Sequence, residues 1–297
     1  MIEIARVLCP IDFSDVSRHA LDYASAIAGW YEASLTVLYV FPNMPVMDVP
    51  PIVLGDADRR RIVADMERFT AVVPPGVAVD RRVHEVAEIH EEIIRQARTL
   101  PADLLVLGSH GRSGVSKLLL GSIAEKVVRR APCPTMIVPP RAPDTPPDRP
   151  IRFERILCAV DFSPASVRAL EHAMTLAEEG SARLTVLHAI EIPPELREHP
   201  LVGEIDVDGL RAAAEADCLR RLRALVPDEV RTYCTVETAV REGAASREVL
   251  RMAAEQESDL VVMGVHGRGA VDLLVFGSTT ARVTRAAECP VLVVPQA

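Results

Sequence analysis

Two stretches of the sequence carry glycine at the same spacing, and each run closes with a serine. Residues 108–122 and 264–278 both fit the pattern G-x2-G-x9-G-S. Glycine has no Cβ, so it permits a sharp turn and a close approach of backbone amides to a ligand. A Gly-Ser pair that opens a helix adds free N–H groups, the positive end of the helix dipole and a hydroxyl, which together suit a polyphosphate. The pattern residues are Gly108, Gly111, Gly121, Ser122, Gly264, Gly267, Gly277 and Ser278.

An aspartate ends the first predicted strand in each half of the chain, as Asp12 in CPIDFS and Asp161 in CAVDFS. A carboxylate at this place accepts hydrogen bonds, which suits a ribose or a base. Arg112 and Arg268 follow the second glycine of each pattern and would give a charge-assisted contact to phosphate. One alternative stays open for Asp12, because an aspartate before a helix often serves only as its N-cap.

The motifs of common nucleotide-using and hydrolytic enzymes are absent from the sequence. It contains no G-x4-G-K-[ST], no G-x-S-x-G and no G-x-G-x-x-G after a first strand. His110 and His266 have no sequence neighbour with nucleophile or metal spacing, so we interpret them as loop residues that offer backbone amides. We therefore predict a binding or regulatory protein and not an enzyme. Slow hydrolysis of bound ATP, with Mg²⁺ held mainly by phosphate oxygens, stays open as an alternative.

Short β-branched runs alternate with helical periodicity along each half. In the first half the pattern predicts strands near 5–11, 34–40, 77–84, 103–107 and 134–138, and helices near 16–29, 56–72, 86–99 and 121–130. This alternation indicates right-handed βαβ crossovers and a parallel sheet covered on both faces. We therefore predict an α/β fold of two tandem doubly wound, Rossmann-like domains. In such sheets ligands bind beyond the carboxyl ends of the strands where strand order reverses, here between the first and fourth strands.

The two halves of the chain repeat one another. VLCPIDFSDVSRHALDYA from Val7 returns as ILCAVDFSPASVRALEHA from Ile156, and the offset is 149 residues early and 156 late. The second half therefore carries about seven extra residues between its second and fourth strands. The segment PPRAPDTPPDRP between the halves lacks the amide donors for helix or sheet and should run as a semi-rigid spacer. We predict domains at 1–140 and 151–297 with a proline-rich linker at 141–150.

These features resemble the universal stress protein family, with two domains in tandem. The resemblance rests on CPIDFS and CAVDFS, on both glycine patterns and on the closing CPTMIVPP and CPVLVVPQ strands, and it spans nearly the whole chain. It implies a five-stranded sheet of order 3-2-1-4-5 in each domain. It also implies the ATP-binding subgroup, which retains the glycine pattern, while ADP, AMP and cyclic AMP stay open as ligands.

The resemblance implies a set of nucleotide contacts in each domain. Asp12 would meet the ribose and adenine region beside Pro10, and the backbone of Val40 would read the base edge. The phosphates would be surrounded by Gly108, His110, Gly111, Arg112, Gly121, Ser122 and Ile123. The matching residues of the second domain are Asp161, Ala189, Gly264, His266, Gly267, Arg268, Gly277, Ser278 and Thr279. Ala159 replaces the proline there, which affects only the base contact.

The last strand of each domain is apolar and would form an exposed edge in an isolated domain. Antiparallel pairing of TMIVPP with VLVVPQ would cover both edges, and the resemblance implies this pairing. Further association into a homodimer is left open.

Composition bears on partners and compartment. The chain has 33 basic and 42 acidic residues and a net charge of −9, with no basic stripe for a phosphate backbone, so we predict no nucleic-acid partner. No apolar run approaches the roughly 18 residues of a membrane span and no signal peptide is evident, so we predict a cytoplasmic protein with no membrane partner. Four of the six cysteines occupy repeat-equivalent positions, and we interpret them as buried small hydrophobic residues.

The two predicted sites differ in charge. Aligning the glycines pairs Ser116 with Asp272 and Lys117 with Leu273, so the second site loses a cation and gains an anion. We therefore expect ATP to bind more tightly to the first domain. The sequence as a whole predicts an ATP-binding module that regulates the stress response in a nucleotide-dependent way. A dimerisation scaffold with vestigial nucleotide sites is the alternative.

Overall fold

The computed structural model describes residues 3–43, 54–111, 120–143, 152–191, 207–267 and 276–296. The chain divides into two compact units. One comprises Met1–Arg152 with Thr284–Pro295, and the other comprises Phe153–Val283 with Gln296–Ala297. Most of the predicted linker at 141–150 lies outside the described residues, so its extended conformation stays a prediction.

The first unit is built on a parallel sheet. Its described strands are β1 (Arg6–Ile11), β2 (Ser34–Pro42), β3 (Val79–Val86), β4 (Leu104–Gly108) and β5 (Thr135–Val138), and its described helices are α1 (Asp15–Trp30), α2 (Asp56–Phe69), α3 (Ile89–Thr99) and α4 (Ser122–Arg130). The strands lie in the order β3-β2-β1-β4-β5, and all four pairs are parallel. This confirms the predicted order 3-2-1-4-5.

The central strands are apolar on both sides because helices cover both faces of the sheet. Leu8, Leu35, Val37 and Leu105 are at most 1% exposed. The order of the strands reverses between β1 and β4, so the carboxyl ends of these two strands border the crevice in which such folds bind ligands.

Several predicted boundaries differ from the structure by up to three residues, and the third helix begins at Ile89 instead of near residue 86. Two of these differences lie on either side of Pro74. The second helix ends at Phe69 and passes into a 3-10 turn at Thr70–Val72, instead of running on to residue 72. The third strand begins at Val79, two residues later than predicted. A turn at Pro74 causes the early end of the helix and the late start of the strand. Pro74 and Pro75 supply no amide donors, and Val77 N–H donates back to the Pro74 carbonyl.

The second unit repeats this plan. Its described strands are β6 (Arg155–Ala159), β7 (Arg183–Ile190), β8 (Thr235–Glu242) and β9 (Leu260–Gly264), and the helices that begin in it are α5 (Pro164–Gly180), α6 (Val207–Leu225), α7 (Val230–Tyr233), α8 (Ala245–Glu255) and α9 (Ser278–Ala286). The strands lie in the parallel order β8-β7-β6-β9. Part of the extra length predicted for this half is visible, because α6 has 19 residues and α2 has 14.

The last strand of the sequence, β10 (Val291–Val294), belongs to the first unit. It pairs with β5 in antiparallel orientation, with Leu292 opposite Met136 and Val291 opposite Ile137. These four side chains are at most 3% exposed. The predicted antiparallel pairing of the two last strands is therefore confirmed.

Two expectations from composition can be compared with the described residues. Among them, no helix combines the length and apolar character that a membrane crossing requires. The four repeat-equivalent cysteines, Cys9, Cys133, Cys158 and Cys289, are buried, as predicted, and none of the four is part of a disulfide. Burial raises the pKa of the Cys133 thiol to about 12, so the group stays protonated near neutral pH.

Candidate functional site

One carboxylate oxygen of each predicted site aspartate holds the turn that leads into the next helix. Oδ1 of Asp12 accepts a hydrogen bond from Ser14 N–H at 3.0 Å, and Oδ1 of Asp161 accepts one from Ser163 N–H at 3.0 Å. The N-caps of α1 and α5 are these serines, whose side chains accept an amide hydrogen from the first helical turn. The alternative that Asp12 serves as the N-cap is therefore wrong.

The other oxygen of each aspartate lies against the second glycine of the pattern. A Cβ on Gly111 would stand 2.5 Å from Asp12 Oδ2, and a Cβ on Gly267 would stand 2.5 Å from Asp161 Oδ2. Any residue other than glycine would displace the carboxylate or the loop at this place. The structure thus brings the predicted aspartate and glycine together in both repeats.

The first glycine of each pattern lets a helix begin close to a strand end. A Cβ on Gly108 would stand 2.8 Å from Val16 Cγ1, and a Cβ on Gly264 would stand 2.8 Å from the carbonyl carbon of Ala165. The space that these two glycines leave is therefore filled by α1 and α5.

The third glycine closes the loop and opens a helix. Gly121 N–H donates to the Ser109 carbonyl at 2.7 Å, and Gly277 N–H donates to the Val265 carbonyl at 3.1 Å. Gly121 is the N-cap of α4 and has no side chain with which to cap it. The first helical turns begin with Ser122 and Ile123 in α4, and with Ser278 and Thr279 in α9.

The second unit contains a cavity of about 760 Å³ at this edge of its sheet. That volume lies within the range of small-molecule sites, roughly 300–1,000 Å³. Every second-domain candidate that the structure describes lines the cavity, namely Asp161, Ala189, Gly264, His266, Gly267, Gly277, Ser278 and Thr279. Ala159, which stands where the first domain has Pro10, lines it as well.

The base-side candidates of the first unit lie on neighbouring strands. Pro10 in β1 pairs with Leu38 of β2, and Val40 pairs with His84 of β3. Val40 is 6% exposed, so only its backbone is suited to a directional contact with a base. Ala189 occupies the equivalent place in β7.

Each of the two loop histidines has one buried ring nitrogen without a hydrogen-bond partner among the described residues. The nitrogens are Nε2 of His110 and Nδ1 of His266. His110 Nδ1 pairs with Ser109 Oγ at 2.8 Å, whereas Val265 stands in the place of Ser109 in the second repeat. Burial lowers the pKa of His110 and so favours its neutral form. Buried polar groups seldom lack a partner, so both loops fit a site that a bound polar ligand would complete.

A phenylalanine follows each aspartate in an unusual backbone conformation. Phe13 and Phe162 both have φ of 63°, in the left-handed region that favours glycine. The Phe13 ring contacts Tyr39, with centroids 4.8 Å apart, and the Phe162 ring contacts His188, with centroids 4.7 Å apart. These aromatic contacts hold the turn that carries the site aspartate.

Several cavity residues were not predicted from the sequence. Ala214 and Cys218 lie one turn apart on α6, Ala245 and Val249 lie one turn apart on α8, and Glu191 follows β7. The i, i+4 spacing was the only sequence signal for the helical pairs, and it marks an ordinary core-facing helix equally well. Only the folded arrangement identifies them as cavity residues.

Some predicted residues cannot be placed. Arg112 and Arg268 lie outside the described residues, as do Ser116, Lys117, Asp272 and Leu273. Within the described ranges, no cluster of three or more His, Cys, Asp or Glu side chains could hold a metal ion.

Comparison with known proteins identifies relatives over nearly the whole chain. The sequence model of the universal stress protein family matches residues 3–139 and 152–295. A universal stress protein of Mycobacterium tuberculosis is 28% identical over 308 residues, which cover 98% of this chain and 97% of that protein. The structure of a universal stress protein from Archaeoglobus fulgidus has the same fold, with a TM-score of 0.66 at 21% identity and 98% of each chain covered. A universal stress protein solved in complex with cAMP matches 46% of this chain and 97% of its own, at 25% identity and a TM-score of 0.36.

Proposed function

The chain belongs to the universal stress protein family, and from this premise we propose that it is a regulatory protein that binds adenine nucleotide, with ATP as the ligand. The observation that carries the proposal is the cavity of the second unit, which is lined by all eight described candidates of that half. These candidates come from four separate segments of the sequence. Their convergence on one cavity is what a nucleotide site requires.

Each group at the cavity would have a definite task. Ser278 and Thr279 open α9, so their amides and the positive end of its dipole would bind the phosphates. Asp161 offers acceptors for the ribose hydroxyls, and the Ala189 backbone offers a donor and an acceptor to the base edge. The unpartnered Nδ1 of His266 would gain a partner from the ligand. Mg²⁺, bound through the phosphates, would neutralise part of their charge.

The nucleotide would act as a regulatory signal in the stress response. A ligand shifts a conformational or association equilibrium only when it binds the two states with different affinity. We propose no fast turnover, and slow hydrolysis remains the enzyme alternative. The proposed location is the cytoplasm, where ATP is available.

One observation favours the scaffold alternative. Gly108, Gly111, Gly264 and Gly267 each have close neighbours within the protein that already exclude a Cβ. The glycine pattern would therefore persist in a protein that used the fold alone. A scaffold, however, gives no reason for the 760 Å³ cavity or for the buried histidine nitrogens.

Nucleotide content of the purified protein tests the proposal. Heat release followed by chromatography should yield adenine nucleotide, and ATP should be the principal species. Phosphate release with and without Mg²⁺ tests the enzyme alternative, and we expect no multiple-turnover hydrolysis. Protein that carries no nucleotide and binds none after addition would favour the scaffold.

A further inference from the structure

We infer that Glu191 makes the second site selective for the 6-amino group of adenine, a selectivity that the first site lacks. The inference rests on the proposed function, because it concerns how the same cavity recognises its base. Glu191 follows β7 and lines the cavity next to Ala189 and Ile190. It is an ionisable cavity residue to which the resemblance assigns no role.

The Glu191 carboxylate is held in place by a helix. Its Oε1 accepts a hydrogen bond from Ala245 N–H at 2.7 Å, at the first residue of α8. The N-cap of that helix is Ala244, whose side chain cannot accept a hydrogen bond, so Glu191 supplies the missing acceptor. The helix dipole also favours a carboxylate here. This hydrogen bond holds the exposed side chain at the cavity wall.

The order of the strands puts Glu191 on the base side of the site. The described strands of this unit lie in the order β9-β6-β7, the glycine pattern starts at the end of β9, and Asp161 follows β6. Glu191 follows β7 and therefore lies across Asp161 from the phosphate-binding loop. A nucleotide with its phosphates at α9 and its ribose at Asp161 would extend its base toward Glu191.

The chemistry of a carboxylate selects among bases. An ionised carboxylate accepts hydrogen bonds at both oxygens and donates none. One oxygen is bonded to α8, and acceptor capacity remains for an amino group of the base. The 6-amino group of adenine fits this requirement, whereas a 6-oxo group would present a second acceptor and would be repelled.

The first unit lacks this group. The offset of 149 residues that aligns β2 with β7 pairs Glu191 with Pro42, which has no side-chain acceptor. The first site would therefore have no carboxylate at this place and would read the base edge through the backbone of Val40. The two sites should differ in how strongly they depend on the exocyclic amino group.

The test measures the binding affinities of ATP and of purine riboside triphosphate, which lacks the 6-amino group. Both are measured on the full-length chain with one of its two sites disabled. Ser122→Asp places a negative charge at the first phosphate site and leaves the second, and Ser278→Asp does the reverse. Selectivity is the ratio of the affinity for ATP to the affinity for purine riboside triphosphate. We expect this ratio to be about tenfold higher when only the second site is active than when only the first site is active. Glu191→Ala should remove this tenfold excess.

Two further variants separate recognition from stability. Glu191→Gln retains one oxygen acceptor for Ala245 N–H but puts an NH2 donor in place of the second carboxylate oxygen, so it should lose the selectivity for the amino group while keeping the bond to α8. Glu237→Ala removes an exposed glutamate of β8 that does not line the cavity, so it should leave the nucleotide selectivity unchanged. Thermal unfolding of each variant shows whether loss of the bond to Ala245 has disturbed the unit.

The outcomes can be told apart. If ATP binds the second site and Glu191→Ala leaves the ratio unchanged, the inference is wrong and the proposed function stands. If the second site binds no nucleotide in any variant or in the native chain, the proposed function of that site fails and the inference fails with it. If GTP binds better than ATP and depends on Glu191, the adenine assignment is overturned.

Discussion

Phe13 and Phe162 occupy a backbone conformation that side chains rarely adopt, and they do so next to the two site aspartates. A left-handed residue other than glycine costs roughly 1–2 kcal/mol, so its contacts must offset that cost. The Phe162 ring lies against His188, and the Arg221 guanidinium lies 3.8 Å from its centroid. The sequence signal DFS predicted the aspartate but gave no sign of the strained phenylalanine, because backbone angles depend on the turn that the fold imposes.

Substitution of Phe162 separates the ring from the strain. Phe162→Ala loses the ring contacts and keeps the strained Cβ, so it should lower the free energy of unfolding by about 2 kcal/mol. Phe162→Gly loses the same contacts but relieves the strain, so it should be about 1 kcal/mol more stable than the alanine variant. Urea denaturation measures both. If the Phe162→Gly variant were less stable than the Phe162→Ala variant, which is the usual order for such substitutions, the result would contradict this account.

His172 on α5 makes stability depend on pH. Its Nδ1 has no hydrogen-bond partner among the described residues, and burial lowers the pKa of the ring to about 4. The unfolded chain has a pKa of about 6.5 at this residue. The neutral ring therefore contributes full stability above pH 6.5, and this contribution is lost as the pH falls toward 4.

The comparison with His172→Gln isolates this effect. Between pH 7 and pH 5, the native protein should lose about 2 kcal/mol more of its free energy of unfolding than the variant loses. Urea denaturation of both proteins at each pH gives the difference. Equal losses would mean that His172 titrates normally in the folded state.

The junctions between strands and helices decide how the elements fit at the site. Gly264 ends β9, and a Cβ there would stand 2.8 Å from the carbonyl carbon of Ala165 and 2.9 Å from Ser166 N. Both atoms belong to the backbone of α5, which cannot yield without moving the helix. The glycine spacing predicted a ligand loop, and the structure adds that the first glycine of the pattern is also required for packing.

Gly264→Ala should therefore destabilise the protein even without ligand. We expect a loss of about 1–3 kcal/mol in the free energy of unfolding, which is typical of overpacking against atoms that cannot move. Gly76→Ala is the control, because a Cβ there would meet nothing within 4 Å. The control should be neutral or slightly stabilising. A Gly264→Ala variant as stable as the native chain would show that α5 can shift.

The elements themselves were largely predictable, and their exact ends were not. Apolar runs rich in β-branched residues, such as the TMIV of β5, identified the strands, and the repeat supported each assignment. The ends of α2 and β3 were missed because the turn at Pro74 depends on a local hydrogen bond that periodicity does not encode. The cavity residues of α6 and α8 were missed because which helix faces meet at a site depends on tertiary packing.

At the scale of the whole molecule, the two copies of one fold differ in sequence between the second and third glycines of the pattern. The loop of the first copy has Lys117 where the second has Leu273, and Ser116 where the second has Asp272. These residues lie outside the described ranges, so the difference in affinity remains a prediction from the sequence. Two units of charge within about 10 Å of the phosphates would change binding by on the order of 1 kcal/mol.

Single-site variants test this ranking. Ser278→Asp leaves only the first site and should bind ATP about fivefold more tightly than Ser122→Asp, which leaves only the second. An aspartate in a first helical turn interacts favourably with the helix dipole, so neither change should unfold the protein. Higher salt should reduce the difference because it screens the loop charges. Equal affinities at low salt would contradict the ranking.

Calorimetric titration of nucleotide-free protein with ATP tests the central claim most directly. The account predicts close to two equivalents of ATP for the native chain, or one tight and one weak site, and none for the double variant Ser122→Asp with Ser278→Asp. The matched double alanine variant removes only the hydroxyls and should retain binding. Absence of binding to the native chain, or undiminished binding to the folded double aspartate variant, would contradict the nucleotide site described for these helix N-termini.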